Sequence, residues 1–152
     1  MTPAQLREEI NTELELLESD LSELLSLQQD LLNKQPTKRE LAAAAIFMAQ
    51  FYNGIENIFK RICYFHGVPL PSGDNWHVEL FKRFCTPAYA TLPPLLDAKL
   101  AEELKPFRNF RHVVFHGYVL QLEWSRMQMG VESIHAIFEK FKISLQIYLQ
   151  NQ

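Results

Sequence analysis

The feature that most constrains the fold is an apolar seam in the first 33 residues of the chain. Apolar side chains recur there in alternating steps of four and three, with only Gln28 breaking the series: Ile10, Leu14, Leu17, Leu21, Leu24 and Leu31. Such spacing forms a single stripe on one helix face. We therefore predict a long helix from about Thr2 to Asn33, with Thr2 as the N-cap and Pro3 at the first helical position. A lone seam of this length is typical of one edge of an antiparallel bundle.

The second segment begins with a capping signal. Thr37 is followed three residues later by Glu40, the spacing of a capping box, and a helical apolar pattern follows. Gly54 interrupts this helix and would cost about 1 kcal/mol against alanine unless another helix approaches closely there. Beside it, Glu56 and Asn57 either form hydrogen bonds across the bundle or point to water.

Prolines and glycines divide the remainder into three further helices. After a break with two glycines and two prolines, Asp74 or Asn75 is expected to cap a short helix that reaches about Cys85. A fourth helix is predicted from near Leu95 to just before Gly117, and a last helix follows a bend. Because no segment alternates long enough for a strand, we predict an all-α fold, a single up-and-down bundle of about five helices spanning residues 1–152 as one domain.

Composition and charge exclude several classes of protein. No apolar run approaches the roughly 18 residues needed to span a bilayer, and the N-terminal residues do not form a signal peptide. The two cysteines, Cys63 and Cys85, lack metal-site or redox spacing, so we expect reduced thiols in a cytoplasmic protein that does not contact membranes. The net charge of −3 argues against a protein that simply coats nucleic acid.

The charge is nevertheless uneven along the chain. Residues 1–35 hold 8 of the 18 acidic residues, so the remainder has 13 basic against 10 acidic residues. Four basic residues, Lys99, Lys105, Arg108 and Arg111, lead into the segment RHVVFHGY (111–118). A locally positive site of this kind is compatible with a phosphate-containing ligand.

The segment RHVVFHGY concentrates polar groups in an otherwise apolar helix. His112 and His116 are four residues apart, the spacing of helical zinc ligands, but the sequence offers no third ligand nearby, and we expect no metal and no cofactor. Phosphate-binding glycine loops and a GxSxG nucleophile motif are absent from the sequence. Metal-independent RNA cleavage needs an acid or base and a cation, which His116 and Arg111 could supply.

Helix geometry complicates this interpretation. On an unbroken helix Arg111 and His116 stand about 140° apart, so they would not converge on one phosphate without help. Gly117 can end the helix directly after His116, and a two-fold dimer could bring a second copy of the segment. The purely structural alternative stays open: Arg111 pairs with an acid, and His116 is a hydrogen-bonded core histidine.

At these residues the sequence resembles the HEPN superfamily, whose ribonuclease members carry an arginine and a histidine separated by four to six residues. Residues 111–118 match as R-x4-H-x-Y. The segments YNGIENIFKRI (52–62), PSGDNWHVELF (71–81) and LQLEWSRM (120–127) also resemble the corresponding helices of HepT-like toxins. The helix order agrees over nearly the whole chain.

The resemblance implies a homodimeric, metal-independent endoribonuclease toxin of a HEPN–MNT, type VII-like toxin–antitoxin pair, with its site in a cleft between protomers. Arg111 and His116 would be its catalytic pair, and RNA its substrate; transfer RNA is a substrate of some family members. An MNT-type nucleotidyltransferase antitoxin would silence it by transferring AMP to Tyr118.

Supporting roles follow less directly from the resemblance. His112 stands where asparagine is frequent, so it either serves as a second acid or base or orients Arg111. Arg108 is a candidate phosphate-binding residue or plain surface charge, whereas Trp76 and His77 are expected to make packing and cap contacts. The alternative function is a non-catalytic HEPN-type module that binds nucleotides or a partner.

Overall fold

The computed structural model describes residues 1–117 and 121–152, and it is all-helical over these residues. The five helices are α1 (Pro3–Asp30), α2 (Lys38–Phe65), α3 (Trp76–Lys82), α4 (Ala98–Phe115) and α5 (Trp124–Gln150). The predicted all-α class and the number of helices are therefore confirmed. None of the described helices is long and apolar enough to cross a membrane.

The two long N-terminal helices begin at the predicted caps. Thr2 and Gln5 form one capping box, in which the Thr2 hydroxyl accepts from the Gln5 amide at 3.2 Å and the Gln5 side chain accepts from the Thr2 amide at 2.8 Å. Thr37 and Glu40 form the second in the same way. Each box satisfies two amides that the first helical turn would otherwise leave unpaired.

Helix α2 is the centre of the bundle, since it contacts each of the other four helices. The apolar seam of α1 packs against it, and the seam residues Ile10, Leu14 and Leu17 are buried. A Cβ atom added to Gly54 would lie only 2.5 Å from Leu17 Cδ2. The close helix approach that the sequence required of Gly54 is thus found, and α1 makes it.

Three helix boundaries differ from the prediction. Helix α1 ends at Asp30, three residues before Asn33, which has a positive φ of 63°. Helix α3 ends at Lys82 and not near Cys85, because the following amides turn back to carbonyls three residues earlier and tighten the backbone. Asn75 occupies its N-cap position without a side-chain hydrogen bond.

Helix α4 starts at Ala98 and not near Leu95. Pro93 and Pro94 favour extended backbone just before it, and Asp97 provides the cap, its Oδ1 accepting from the Leu100 amide at 2.8 Å. A side-chain cap this clear could have been read from the sequence.

The C-terminal end of α4 is as predicted. Phe115 is the last helical residue, His116 is the C-cap, and Gly117 follows with a left-handed φ of 84°. Glycine adopts this conformation without the steric cost that a side chain would add. The helix therefore ends directly after the candidate histidine; the predicted bend at 118–124 lies partly outside the described residues.

Candidate active site at the end of α4

Arg111 points from α4 into the angle between α2 and α3. Its Nε lies 3.3 Å from Glu56 Oε1, its Nη1 lies 3.3 Å from His77 Nε2, and its Nη2 donates to Asn53 Oδ1 at 3.5 Å. Each guanidinium nitrogen thus faces a different side chain. The plane of the group also lies near the Phe115 ring, with Cζ 4.8 Å from the ring centroid.

Glu56 is the buried acid of this cluster, with only 1% of its side chain exposed. Its Oε2 lies 2.6 Å from His77 Nδ1, a short hydrogen bond to a carboxylate. Its Oε1 is at ion-pair distance from Arg111 Nε, but the two groups are too poorly aligned for a hydrogen bond. The buried carboxylate on α2 therefore contacts one side chain on α3, His77, and one on α4, Arg111.

Tyr52 lies one turn before Glu56 on α2. Its side chain is buried, and its hydroxyl has no hydrogen-bond partner among the described residues. Burial raises the pKa of Tyr52, and the nearby charge of Glu56 raises it further. The hydroxyl therefore stays protonated, and the fixed charges of the cluster are those of Glu56 and Arg111.

His116 is exposed at the end of the helix. Its Nδ1 lies 2.7 Å from the carbonyl oxygen of His112, and a carbonyl can only accept, so Nδ1 carries a proton. In the neutral ring Nε2 is then the unprotonated nitrogen, and it has no partner among the described residues. An exposed, unprotonated imidazole nitrogen with a fixed ring orientation is the form that a general base requires.

His112 stacks against His116, with ring centroids 3.9 Å apart and planes inclined by 33°. Both rings belong to one exposed face at the last turn of α4. Among residues 1–117 and 121–152, no three histidine, cysteine, aspartate or glutamate side chains are grouped so that they could hold a metal ion.

A cavity of about 170 Å³ lies between the start of α3 and the second half of α4. Arg108, Arg111 and His112 line it from α4, and His77 lines it from α3. His116 does not line this cavity. Within one chain, the structure thus brings Arg108, Arg111 and His112 together and leaves His116 beside them, around the helix end.

Arg108 lies near the Phe81 ring, with Cζ 5.0 Å from its centroid, and has no salt bridge to a described acid. Two of the other basic residues that precede the site are paired: Lys105 with Glu102 at 2.7 Å, and Arg111 with Glu56. The run of basic residues before the site is therefore partly neutralised; Arg108 lines the cavity without a salt bridge to any acid that the structure describes, and one acid, Asp74, lines it as well.

The purely structural alternative predicted an acid partner for Arg111 and a core position for His116, and only the first is found. Arg111 does pair with an acid, as that alternative expected. His116, however, is exposed and bonded to its own helix, so it is not a core histidine. Tyr118, the candidate modification residue, lies outside the described residues.

The sequence did not identify two members of the cluster and left the role of a third open. Asn53 was not singled out, and His77 was expected to make only packing and cap contacts; Glu56 was left between a bundle hydrogen bond and solvent. The first of the two possibilities for Glu56 is correct. A charged residue two positions after a glycine in an apolar helix was the available signal for Glu56, whereas nothing in the sequence distinguished His77.

A family model described as HepT-like protein matches residues 43–152, which extend from α2 through α5 and include the whole cluster. Comparison with curated proteins and with solved structures finds no significant match. The matched segment is more than half of the chain, and the helical bundle is the fold expected of HEPN proteins. The chain therefore belongs to the HepT-like family.

Proposed function

We propose that this protein is a metal-independent endoribonuclease of the toxin type, acting through Arg111 and His116. The HepT-like family is in general a family of ribonuclease toxins. The observation that carries the proposal is the geometry of His116: an exposed ring at a helix end, held by its Nδ1 against the His112 carbonyl, with Nε2 facing no described residue.

The proposed reaction starts with proton transfer. His116 Nε2 takes the proton of a ribose 2′-hydroxyl, and the oxygen attacks the adjacent phosphorus. The bond from phosphorus to the 5′-oxygen breaks, and that oxygen receives a proton from the protonated His116 of a second copy of the chain. The products are a 2′,3′-cyclic phosphate and a free 5′-hydroxyl, with no metal or redox partner needed.

Arg111 is the proposed binder of the phosphate charge. Guanidinium is always protonated, and each of its terminal nitrogens still has one N–H beyond those directed at His77 and Asn53. Arg108 and His112 line the same cavity and would guide a neighbouring phosphate. Charge that grows on the phosphate during the reaction is stabilised by such preorganised donors.

A second copy of the chain completes the proposed site. Arg111 opens toward the cavity between α3 and α4, whereas His116 projects from the helix end. A two-fold axis near the end of α4 would bring a second Arg111–His116 segment into the same cleft, so that one histidine accepts a proton while the other donates one.

The test is RNA cleavage by the full chain in buffer with EDTA. Wild type should leave 2′,3′-cyclic phosphate ends, and His116→Gln should lower the rate roughly 10²- to 10⁴-fold with an unchanged melting temperature. His112→Asn is the matched comparison: it retains the backbone carbonyl that holds His116 but removes an imidazole from the cavity lining, so it should lower the rate by less than His116→Gln does. Equal rates for wild type and His116→Gln would overturn the proposal, and light scattering that finds an active monomer would overturn the two-fold site.

Tyr118 is the proposed control point. Tyr118 directly follows Gly117 in the sequence, and a nucleotide attached to it would add bulk and negative charge to the segment that carries Arg111 and His116. Co-expression with an MNT-type nucleotidyltransferase encoded nearby should add one or more AMP units to the peptide that contains Tyr118, and it should abolish cleavage. A neutralised complex with unmodified Tyr118 in mass spectrometry would refute this mode of regulation.

The second candidate function is a non-catalytic module that binds nucleotides or a partner. The observation in its favour is the engagement of Arg111 by Glu56, His77 and Asn53, which stabilises the bundle whether or not RNA is cut. The His116 experiment separates the two, because His116 has no such structural partner outside its own helix among the described residues.

A further inference from the structure

The contacts around His77 lie outside the motif at the end of α4, yet they join directly to Arg111. His77 is the second residue of the short helix α3, and 28% of its side chain is exposed. One ring nitrogen faces a buried carboxylate on α2, and the other faces a guanidinium on α4. A histidine between an acid and an arginine has few protonation states that satisfy both neighbours.

Hydrogen-bond chemistry selects one of these states. The Glu56 carboxylate can only accept, so His77 Nδ1 must donate to Oε2 across 2.6 Å. Arg111 Nη1 can only donate, so His77 Nε2 must accept across 3.3 Å. The two contacts together define a neutral ring with its proton on Nδ1.

The neighbouring side chains hold the ring in this position. The ring of Trp76 lies 3.4 Å from the His77 ring, centroid to centroid, and Lys60 Nζ lies over the Trp76 ring, 4.6 Å from its centroid. Glu56, almost fully buried, fixes the Nδ1 side. His77 is thus braced by α2 and by its neighbour on α3, and it offers a fixed acceptor to α4.

We propose that His77 is a positioning residue for Arg111: Glu56 fixes its tautomer, and its unprotonated Nε2 orients the guanidinium toward the cavity. Glu56 alone would leave the guanidinium group of Arg111 free to change its orientation, because Glu56 contacts only Nε and is poorly aligned with it. His77 and Asn53 each take one terminal nitrogen. The plane of the guanidinium is therefore set by neutral acceptors, which add no negative charge beyond that of Glu56.

The chain of contacts from Glu56 through His77 to Arg111, called the relay below, is a property of the folded chain. Its effect on cleavage rests on the proposed function. Two measurements on the full chain keep these apart. The first is nitrogen-15 NMR of the histidine rings and of the arginine Nε–H groups, which needs no activity. The second is the kinetics of RNA cleavage.

In the NMR experiment, His77 of the wild type should appear as the neutral tautomer with hydrogen on Nδ1. The Nε–H signal of Arg111 should be ordered in the wild type and mobile in His77→Ala. His77→Gln, whose side-chain oxygen can replace Nε2 as an acceptor, should restore the order. A ring protonated on Nε2, or an Arg111 signal equally ordered in His77→Ala, would overturn the proposal.

In the cleavage experiment, His77→Ala should lower kcat/KM roughly 10-fold or more, the effect of losing a hydrogen bond to a charged group. His77→Gln should retain most of the rate, and the stability of both variants is followed by melting temperature. If the NMR results are as expected and no variant or wild type cleaves RNA, the relay stands and the proposed ribonuclease function fails. If His77→Gln is as slow as His77→Ala while Arg111 is ordered, positioning is not the role of His77.

Discussion

Two arginines connect α2 with its neighbours, and they do so in different ways. Arg61 on α2 binds two acids of α1, with Nη1 2.6 Å from Glu9 and Nη2 3.0 Å from Glu13. Arg111 reaches α2 from α4 and faces one acid, Glu56, together with the neutral side chains of His77 and Asn53. Arg61 is 36% exposed and Arg111 is 20% exposed.

The difference lies in how the positive charge is balanced. Arg61 faces two negative groups, and its hydrogen bonds to Glu13 and Glu9 raise the pKa of the guanidinium further. No positive charge is left over for a ligand. Arg111 faces a single carboxylate, and its other partners orient it without neutralising it. The α1 side of α2 is thus organised for stability, and the α3–α4 side keeps a directed cation next to a cavity.

Replacement of the two arginines should give the largest contrast. Arg111→Ala leaves Glu56 buried without its cation, so we expect a loss of about 3 kcal/mol in unfolding free energy and of roughly 6–12 °C in melting temperature. RNA cleavage should fall roughly 10²- to 10³-fold as well. Arg61→Ala should cost less, about 1–2 kcal/mol, because Arg61 and Glu9 are partly exposed although Glu13 is nearly buried, and it should leave the cleavage rate unchanged. Thermal unfolding and cleavage assays measure both effects.

Because Arg111→Ala affects stability and activity together, the two effects are separated by changing Arg111 in a variant that already lacks the Glu56 charge. In a Glu56→Gln chain the buried negative charge is already gone, so Arg111→Met should cost less stability there than in the wild type. Cleavage should still be lost. Equal stability costs in the two backgrounds would mean that Glu56 and Arg111 are not coupled, and cleavage by the double variant would remove Arg111 from the mechanism.

A smaller effect tests the α1 side on its own. Gly54→Ala forces a Cβ atom against Leu17, and we expect a net destabilisation of about 1 kcal/mol after the gain in helix propensity. Gly130→Ala is the matched control, since its Cβ would meet the flexible end of Met48 at 2.8 Å. Denaturant unfolding measures both variants, and cleavage should be unchanged in both. Loss of cleavage in Gly54→Ala at unchanged stability would contradict the division between the two sides of α2.

The sequence predicted the helices better than their ends. The seam of α1 and the two threonine caps are local patterns, and they identify the helices that they belong to. The shifted ends have local causes too, such as the aspartate cap at Asp97 after two prolines. One domain over residues 1–152 and a homodimer remain predictions.

Part of the candidate site could likewise be predicted from local sequence, and part could not. Arg111 and His116 belong to one short motif and could be named from the sequence. Asn53 and His77 could not, because they lie 58 and 34 residues from Arg111 and meet it only through the packing of α2, α3 and α4. A contact that depends on three helices leaves no periodic trace in any one of them.

The end of α4 also determines how the proposed site can attract RNA. The carbonyl groups at the C-terminus of a helix give that end of the helix dipole a partial negative charge of about half an electron, the opposite of the N-terminal ends that bind phosphate through backbone amides. His116 covers one of these carbonyls, that of His112. The backbone at the end of α4 therefore repels an approaching phosphate, so at this helix end the attraction must come from side-chain cations. Phosphate binding at this helix end therefore depends on how the guanidinium is oriented. If the guanidinium turns away, the carbonyl end of α4 supplies no N–H groups that could replace it.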